Sequence, residues 1–292
     1  MNLLIFGLGY TAAHYAAHYA QAFDAVIATR RAPQGEGSGS FKLLPFDSGA
    51  DQVDPRLLAA LSEADALLVS AGPDAQGDPA LRRLAPEIAA APNLKKIVYL
   101  STIGVYGDRG GGEVDESAEL EPVSSRSALR VKAERDWTAL AAASGKTLYI
   151  LRLSGIYGPG RNVLVNLRDG NARRLIKPGQ VFNRIHVEDI GRAIAACFAG
   201  AAQGGVYNVT DNEPAPPQDV IVYAAGLLGM APPPEQDFAT ADLTPMARSF
   251  YGENKRVANR RMKHALGVEP LYPTYREGIS ALWKAGFSAP ST

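Results

Sequence analysis

Short apolar runs separated by longer amphipathic stretches recur along the first half of the chain. Residues 2–6 (NLLIF), 24–29 (DAVIAT), 41–46, 65–70, 94–100 and 147–153 each read as a strand, being short and rich in Leu, Ile and Val. Between them, 10–21, 55–62, 79–90 and 126–143 read as helices. Strands without a polar face, alternating with helices, predict an α/β fold with a doubly wound parallel sheet. After residue 155 the alternation loosens. Residues 162–176 read as a helix that turns at Lys177-Pro178-Gly179, 184–200 as a strong helix with Glu188 and Asp189 in its first turn, and 205–214 as a strand and turn. Proline-rich runs at 214–217 and 231–234 bound a further helix, and the remainder is mainly helical. The expected organisation is therefore a sheet domain over 1–155 plus a returning segment at about 181–213. A smaller, mainly helical domain is expected from about 156–180 and 214–292, with a ligand crevice between the two at the carboxyl ends of the strands.

The first strand runs directly into Gly7-Leu8-Gly9-Tyr10-Thr11-Ala12 and then an alanine-rich helix. This is the layout of a dinucleotide-binding βα turn. Gly7 permits the tight turn, Gly9 lets backbone approach a pyrophosphate, and Ala12 lets helix and strand pack closely, with Tyr10 and Thr11 at the helix N-terminus that faces the phosphates. The second strand ends in Thr29-Arg30-Arg31, and no acid occupies 25–35 to accept hydrogen bonds from a ribose 2′-hydroxyl. A guanidinium fork at Arg30 or Arg31 suits a 2′-phosphate, so NADP is favoured over NAD. The alternative is that both arginines are a solvated loop edge.

Composition narrows the setting. Thirty basic and thirty acidic residues cancel, so no net field steers the chain toward nucleic acid or a membrane surface. The single cysteine, Cys197, excludes an internal disulfide and lies in an apolar helical stretch where a packed thiol is expected. No basic leader precedes the first strand, and no apolar run reaches the roughly 18 residues of a membrane span, so a cytoplasmic protein is expected. QGEGSGS (34–40) and Gly110-Gly111-Gly112 read as flexible loops.

Several further stretches resemble the extended short-chain dehydrogenase/reductase superfamily, which contains nucleotide-sugar epimerases and dehydratases. They are YLSTIGVYG (99–107), LRLSGIYGPGR (151–161), RIHVEDIGRAI (184–194) and VYNVTDNEP (206–214), in the family's order and spacing. The Gly-x-Gly-x-x-Ala turn and the ending KRVANRRMKHALGVEPLYPTYREGI look closer to an atypical branch. The resemblance implies a Rossmann domain and hydride chemistry with a nicotinamide cofactor. It also implies that Asp47 meets the adenine, that Ala71 and Gly72 pass the adenosine ribose, and that Ser101, Ser154 and Ile156 border the nicotinamide. Relatives commonly pair as homodimers.

The family's catalytic set is a Ser or Thr after the fifth strand and a Tyr-x-x-x-Lys on the next helix. Thr102 stands at the first position, where its hydroxyl would orient the substrate oxygen. The pair is absent. The helix reads SSRSALRVKAERDW (124–137), which puts Arg126 at the Tyr position and Arg130 at the Lys position. Arg130 can bind cofactor or substrate as a fixed cation, but a guanidinium with a pKa above about 12 is no proton donor. Two arginines and a threonine make a pocket friendly to a carboxylate or phosphate. The competing reading is an i, i+4 surface pair with Glu134 as the partner of Arg130. Tyr106 and Tyr157 are the substitute proton donors to consider, with water as a third.

The remaining candidates read as structural. His14 and His18 are spaced i, i+4, but no third metal ligand is evident. His186, Asp189 and Asn208 read as hydrogen-bonding residues of family turns, and the run Lys255, Arg256, Arg260, Arg261, Lys263 as a solvated helix face or as family-typical structure. The reading reached is an NADP-dependent oxidoreductase acting on a small carbonyl or hydroxyl compound, an anionic one among the candidates. Its alternative is a non-catalytic protein that binds NAD(P) and senses its redox state.

Overall fold

In the computed structural model, which describes residues 1–287, strands β1 (Asn2–Phe6), β2 (Ala25–Arg30), β3 (Gly37–Ser38), β4 (Phe41–Pro45), β5 (Ala66–Val69), β6 (Lys96–Thr102), β7 (Thr147–Leu153) and β8 (Gly205–Val209) form one sheet. Its order is β8-β7-β6-β5-β1-β2-β4-β3, and every pair is parallel except the β3–β4 hairpin at one edge. The direction of winding reverses between β1 and β5, so a crevice opens there at the carboxyl ends of the strands.

The helices are α1 (Tyr10–Tyr19), α2 (Pro55–Glu63), α3 (Pro79–Ala90), α4 (Ser125–Ser144), α5 (Val163–Arg168), α6 (Val187–Ala199), α7 (Pro217–Leu227), α8 (Pro245–Phe250), α9 (Arg260–His264) and α10 (Tyr275–Lys284). Alternation along β1 builds both faces of the core. Leu3 and Ile5 join Tyr15, Ile190 and Ile194 of α1 and α6. Leu4 and Phe6 point the other way, into Leu57, Leu61, Leu84, Ile88 and Trp137 of α2, α3 and α4. Burying each such side chain contributes about 1.5–3 kcal/mol, which is why a strand of five residues suffices to fix its place.

A separate cluster lies outside the sheet. Tyr157, Leu164, Leu167, Val220, Ala224, Tyr275, Ile279 and Leu282 pack together from α5, α7, α10 and the chain following β7. The chain thus leaves the sheet after β7, returns through α6 and β8, and leaves again. Residues 288–292 of the expected second segment lie outside the described residues. No helix among the described residues is long and apolar enough to cross a membrane.

Two expectations are corrected. Residues 162–176 are helical only over Val163–Arg168, because Gly170 takes φ +69° and the chain then forms a strand, Arg174–Ile176, beside Glu235–Asp237. The stretch 184–200 starts as a strand, Arg184–His186, parallel to Gly155–Tyr157. His186 then caps α6, its Nδ1 accepting from the Glu188 amide at 3.1 Å.

Candidate functional site

The glycine turn is built by close approach and by β2. A Cβ on Gly7 (φ +87°) would lie 2.7 Å from the Ala71 amide nitrogen, so only glycine fits. Thr29 clamps the turn: its hydroxyl accepts from the Gly7 amide at 3.1 Å and donates to the Ile5 carbonyl at 3.2 Å. Fully buried and doubly bonded, Thr29 braces the turn. Arg30 reaches back to the same turn, its Nε donating to the Leu8 carbonyl at 3.1 Å. Arg31 is exposed beside it.

Gly9 begins α1 with no side-chain cap and no acid in the first turn, and a Cβ there would meet nothing within 4 Å. The first amides of α1 therefore face free space with the positive end of the helix dipole behind them. Thr11 and Ala12 are buried under this end. Tyr10 donates to the Pro159 carbonyl at 3.0 Å, and the Arg161 guanidinium sits 5.6 Å from its ring centroid. Burial pushes the Tyr10 hydroxyl up to about 12, against the pull of Arg161. Asp47 is exposed at the far end, its Oδ1 accepting from the Gly49 amide at 3.0 Å.

Across the crevice, Thr102 closes β6 and caps the turn Ile103–Tyr106, accepting from the Gly104 amide at 3.1 Å. Ser124 caps α4 and donates to the Ser127 hydroxyl at 2.9 Å. A Cβ on Gly104 would lie 2.7 Å from the Ser127 Oγ and 3.4 Å from the Thr102 Oγ1. Glycine thus leaves a small space flanked by two hydroxyls. One α4 turn further on, Arg130 donates to the Leu100 carbonyl at 2.7 Å and to the Tyr99 hydroxyl at 3.1 Å. Its other terminal nitrogen lies 3.3 Å from the Cβ position of Gly72, so the turn after β5 and Arg130 meet.

Several expectations give way here. Glu134 is not the partner of Arg130. It takes a hydrogen bond from Ser101 at 2.5 Å and pairs with Arg152 at 2.7 Å, all three buried. Ser101 is thereby turned into this network, and the Ser154 hydroxyl likewise donates to the Val209 carbonyl at 3.3 Å. Tyr106 is fully buried, donates to the Asn208 Oδ1 at 2.7 Å and receives from Arg152 at 2.9 Å. Its hydroxyl is raised by burial, and it is not a donor to the crevice. Tyr157 borders the crevice, but its hydroxyl is buried against Gly278 of α10 with no hydrogen-bond partner among the described residues. Neither tyrosine replaces the missing catalytic one.

The crevice itself is a cavity of about 860 Å³ running from Gly9, Tyr10 and Thr11 past Gly72, Ser101, Thr102, Ser154 and Ile156 to Arg126, Phe250 and Lys255. It brings together Gly9, Tyr10, Thr11, Gly72, Thr102, Arg126, Arg130 and Ile156, whereas Asp47, Arg30 and Arg31 lie outside it. Sequence reasoning missed Ser124, Ser127, Arg161, Asn183, Arg184, Phe250 and Lys255. Arg184 donates to the carbonyls of Phe182 (2.9 Å) and Ala215 (3.2 Å), and its burial lowers its pKa. Lys255, expected on a solvated face, is buried: it bonds the Gly107 carbonyl at 2.6 Å and pairs with Glu253. Arg161 had a signal in the quoted GIYGPGR stretch, and Ser124 and Ser127 bracket the arginine already singled out.

Residues read as structural hold the surroundings. Asp189 is fully buried and accepts from the amides of Leu271 (2.6 Å) and Tyr272 (3.1 Å), tying α6 to the C-terminal segment. Asn208 also donates to the Ala258 carbonyl at 3.2 Å. His14 stacks on His18 and bonds the Glu188 carboxylate at 2.7 Å on the α1–α6 face.

A parallel sheet wound about a switch point, a glycine turn opening a helix there, and a hydroxyl-lined crevice above define a doubly wound nucleotide-binding-type α/β protein. Residues 80–210 match the model of the NAD dependent epimerase/dehydratase family, and over that stretch the chain is similar to it. It is 28% identical to Protein YeeZ of Escherichia coli (strain K12) over 263 residues, 82% of this chain and 85% of that one. It is 30% identical over 210 residues to a 3-diazoavenalumate denitrifying reductase of a Streptomyces species, 66% of each. A functionally unknown conserved protein from Silicibacter pomeroyi DSS superposes with a TM-score of 0.87 at 45% identity, covering 98% of this chain and 99% of that one. The dTDP-glucose 4,6-dehydratase of Bacillus anthracis str. Ames, in complex with NAD, shares the fold with a TM-score of 0.79 at 20% identity, covering 98% and 97%.

Proposed function

We propose that the chain is a nicotinamide-dinucleotide-dependent oxidoreductase that prefers NADP and acts on a small carbonyl or hydroxyl compound. The observation that carries this is the single crevice joining the uncapped start of α1 to the hydroxyl-flanked space at Gly104. The residues fit a dinucleotide: Gly7 and Gly9 leave room for a pyrophosphate at the amides of Tyr10, Thr11 and Ala12. Ala71 and Gly72 line the ribose side, and Arg130 is anchored beside Gly72. Bound there, the nicotinamide supplies hydride transfer. Related proteins support the reading, one being a reductase and another of the same fold carrying NAD.

In this reading Thr102 and Ser127 hold the reacting oxygen through their hydroxyls, and Ser124, which donates to Ser127, links that oxygen to the outer end of the cavity. Arg130 holds the cofactor side as a fixed cation. The 2′-phosphate is assigned to Arg30 and Arg31, because Arg30 is already tied to the glycine turn.

Parallel titration with NADPH and NADH by calorimetry tests the assignment. Tight NADPH and weak NADH are expected, and Arg30→Glu with Arg31→Glu should weaken NADPH at least tenfold more than NADH. Equal loss for both, or no binding of either, removes the reading. The second reading, a dinucleotide sensor without catalysis, is favoured by the absent Tyr-x-x-x-Lys pair and the burial of Tyr106 and Tyr157. Oxidation of NADPH by any member of a carbonyl panel separates the two.

A further inference from the structure

We propose that the second ligand of the crevice is a flat, conjugated or aromatic monocarboxylate, its body against the Phe250 ring and its carboxylate on the Arg126 guanidinium; this rests on the oxidoreductase reading of the same site. Phe250 ends α8 at the mouth of the crevice and is 55% exposed, whereas the next residue, Tyr251, is 8% exposed. The difference is built in. Tyr251 is wedged between Phe182 (5.1 Å between centroids) and Phe238 (4.8 Å), and Lys177 bonds its carbonyl. That anchor fixes the end of α8 and leaves the Phe250 ring half-exposed, with the Arg126 guanidinium over it. Large apolar side chains left exposed at a cavity mouth gain burial only when something covers them.

The available charge lies beside that ring. The Arg126 guanidinium is 5.6 Å from the Phe250 centroid and makes no ion pair or hydrogen bond with any described residue. Its five N–H donors match one carboxylate bidentately. Glu253 is the carboxylate side chain lining the cavity, and it is already paired with Lys255. The walls include Ile103, Ile156 and Phe182, which can cover a flat hydrocarbon body, whereas Asn183 and Arg184 of the same wall are bonded to main-chain groups. A ring or conjugated chain against Phe250, a carboxylate on Arg126, and the reducible end directed to Thr102 and Ser127 uses each of these features once.

The test is calorimetric titration of the whole chain, with and without saturating NADPH, using trans-cinnamate as the probe. Cinnamyl alcohol lacks the anion, hexanoate lacks the flat body, and UDP represents a nucleoside diphosphate. Cinnamate should bind at least tenfold tighter than the other three, and both Phe250→Ala and Arg126→Gln should weaken it at least tenfold. Both side chains are exposed, so these variants keep the fold, and NADPH titration of each reports whether the cofactor end is intact. NADPH binding without cinnamate binding, or cinnamate affinity unmoved by either variant, overturns this proposal and leaves the cofactor reading standing. Tighter binding of UDP overturns it in favour of a nucleotide ligand. Failure of NADPH alone removes the cofactor reading, whereas cinnamate binding lost in both variants still upholds the carboxylate site.

Discussion

The side chain that Gly104 lacks would occupy the space between the Thr102 and Ser127 hydroxyls. Adding one methyl group there is a sharp probe, because its backbone does not require glycine and the obstacle is a serine hydroxyl that can rotate away. Gly104→Ala should keep the fold and bind NADPH within a few-fold of wild type, as measured by titration. Turnover of any carbonyl the wild type reduces should fall about 10²–10³-fold, the scale of losing one donor to a reacting oxygen. Unchanged turnover would mean that the oxygen sits elsewhere. Gly7 was legible in the sequence because its turn is local, whereas Gly104 was not. Its importance depends on Ser127, a helix away, and spacing along a chain carries no record of that meeting.

Among the elements, α4 does the most, presenting Ser127 and Arg130 to the crevice and Glu134 to the core. The i, i+4 spacing of Arg130 and Glu134 suggested a surface pair worth a few tenths of a kcal/mol. The fold instead gives Glu134 to Arg152 of β7, where burial makes the bidentate contact, and Ser101 and Tyr106 complete the network. Glu134→Ala would leave the Arg152 charge buried and uncompensated. It should lower stability by about 3–5 kcal/mol, read from urea midpoints, while Lys132→Ala on the exposed face of the same helix should change it by well under 1 kcal/mol. The sheet strands were legible because burial on both faces leaves an unbroken apolar run. The pairings Arg174–Ile176 with Glu235–Asp237 and Arg256–Val257 with Glu113–Val114 were not, since segments of two or three residues are strands only by virtue of a distant partner. Lys255 was misread for the same reason: its charge-rich neighbours suggest solvent, and only the fold brings Glu253 and the Gly107 carbonyl around it.

At the scale of the molecule, the junction between the sheet and the smaller cluster carries a buried acid. Asp211 follows β8, is 1% exposed, and accepts from the Glu213 amide at 3.2 Å, while its other oxygen has no hydrogen-bond partner among the described residues. Burial pushes its carboxyl up to about 8. A folded-state value above the unfolded one near 4 means that the folded chain holds a proton the unfolded chain has released. This contribution is therefore complete below about pH 4 and is lost as the pH rises through about 8. Asp211→Asn should abolish that loss: stabilities of variant and wild type from urea unfolding should agree best near pH 4 and diverge by about 5 kcal/mol near pH 9, the variant being more stable. A constant difference across that range would place the ionisation elsewhere.

The doubled path of the chain also sets a timetable for its synthesis. The sheet is complete once Val209 has been made, but the cluster around Leu164 and Leu167 waits for Tyr275, Ile279 and Leu282 of the last helix. At about 5–20 residues per second, α5 emerges several seconds before α7 packs against it, and longer still before α10 closes the cluster. From the completion of β8 until then, the nascent chain carries a finished sheet beside an apolar cluster still open where α10 will lie. A chaperone that holds exposed hydrophobic surface has its opportunity there, between the release of α5 and the arrival of α10.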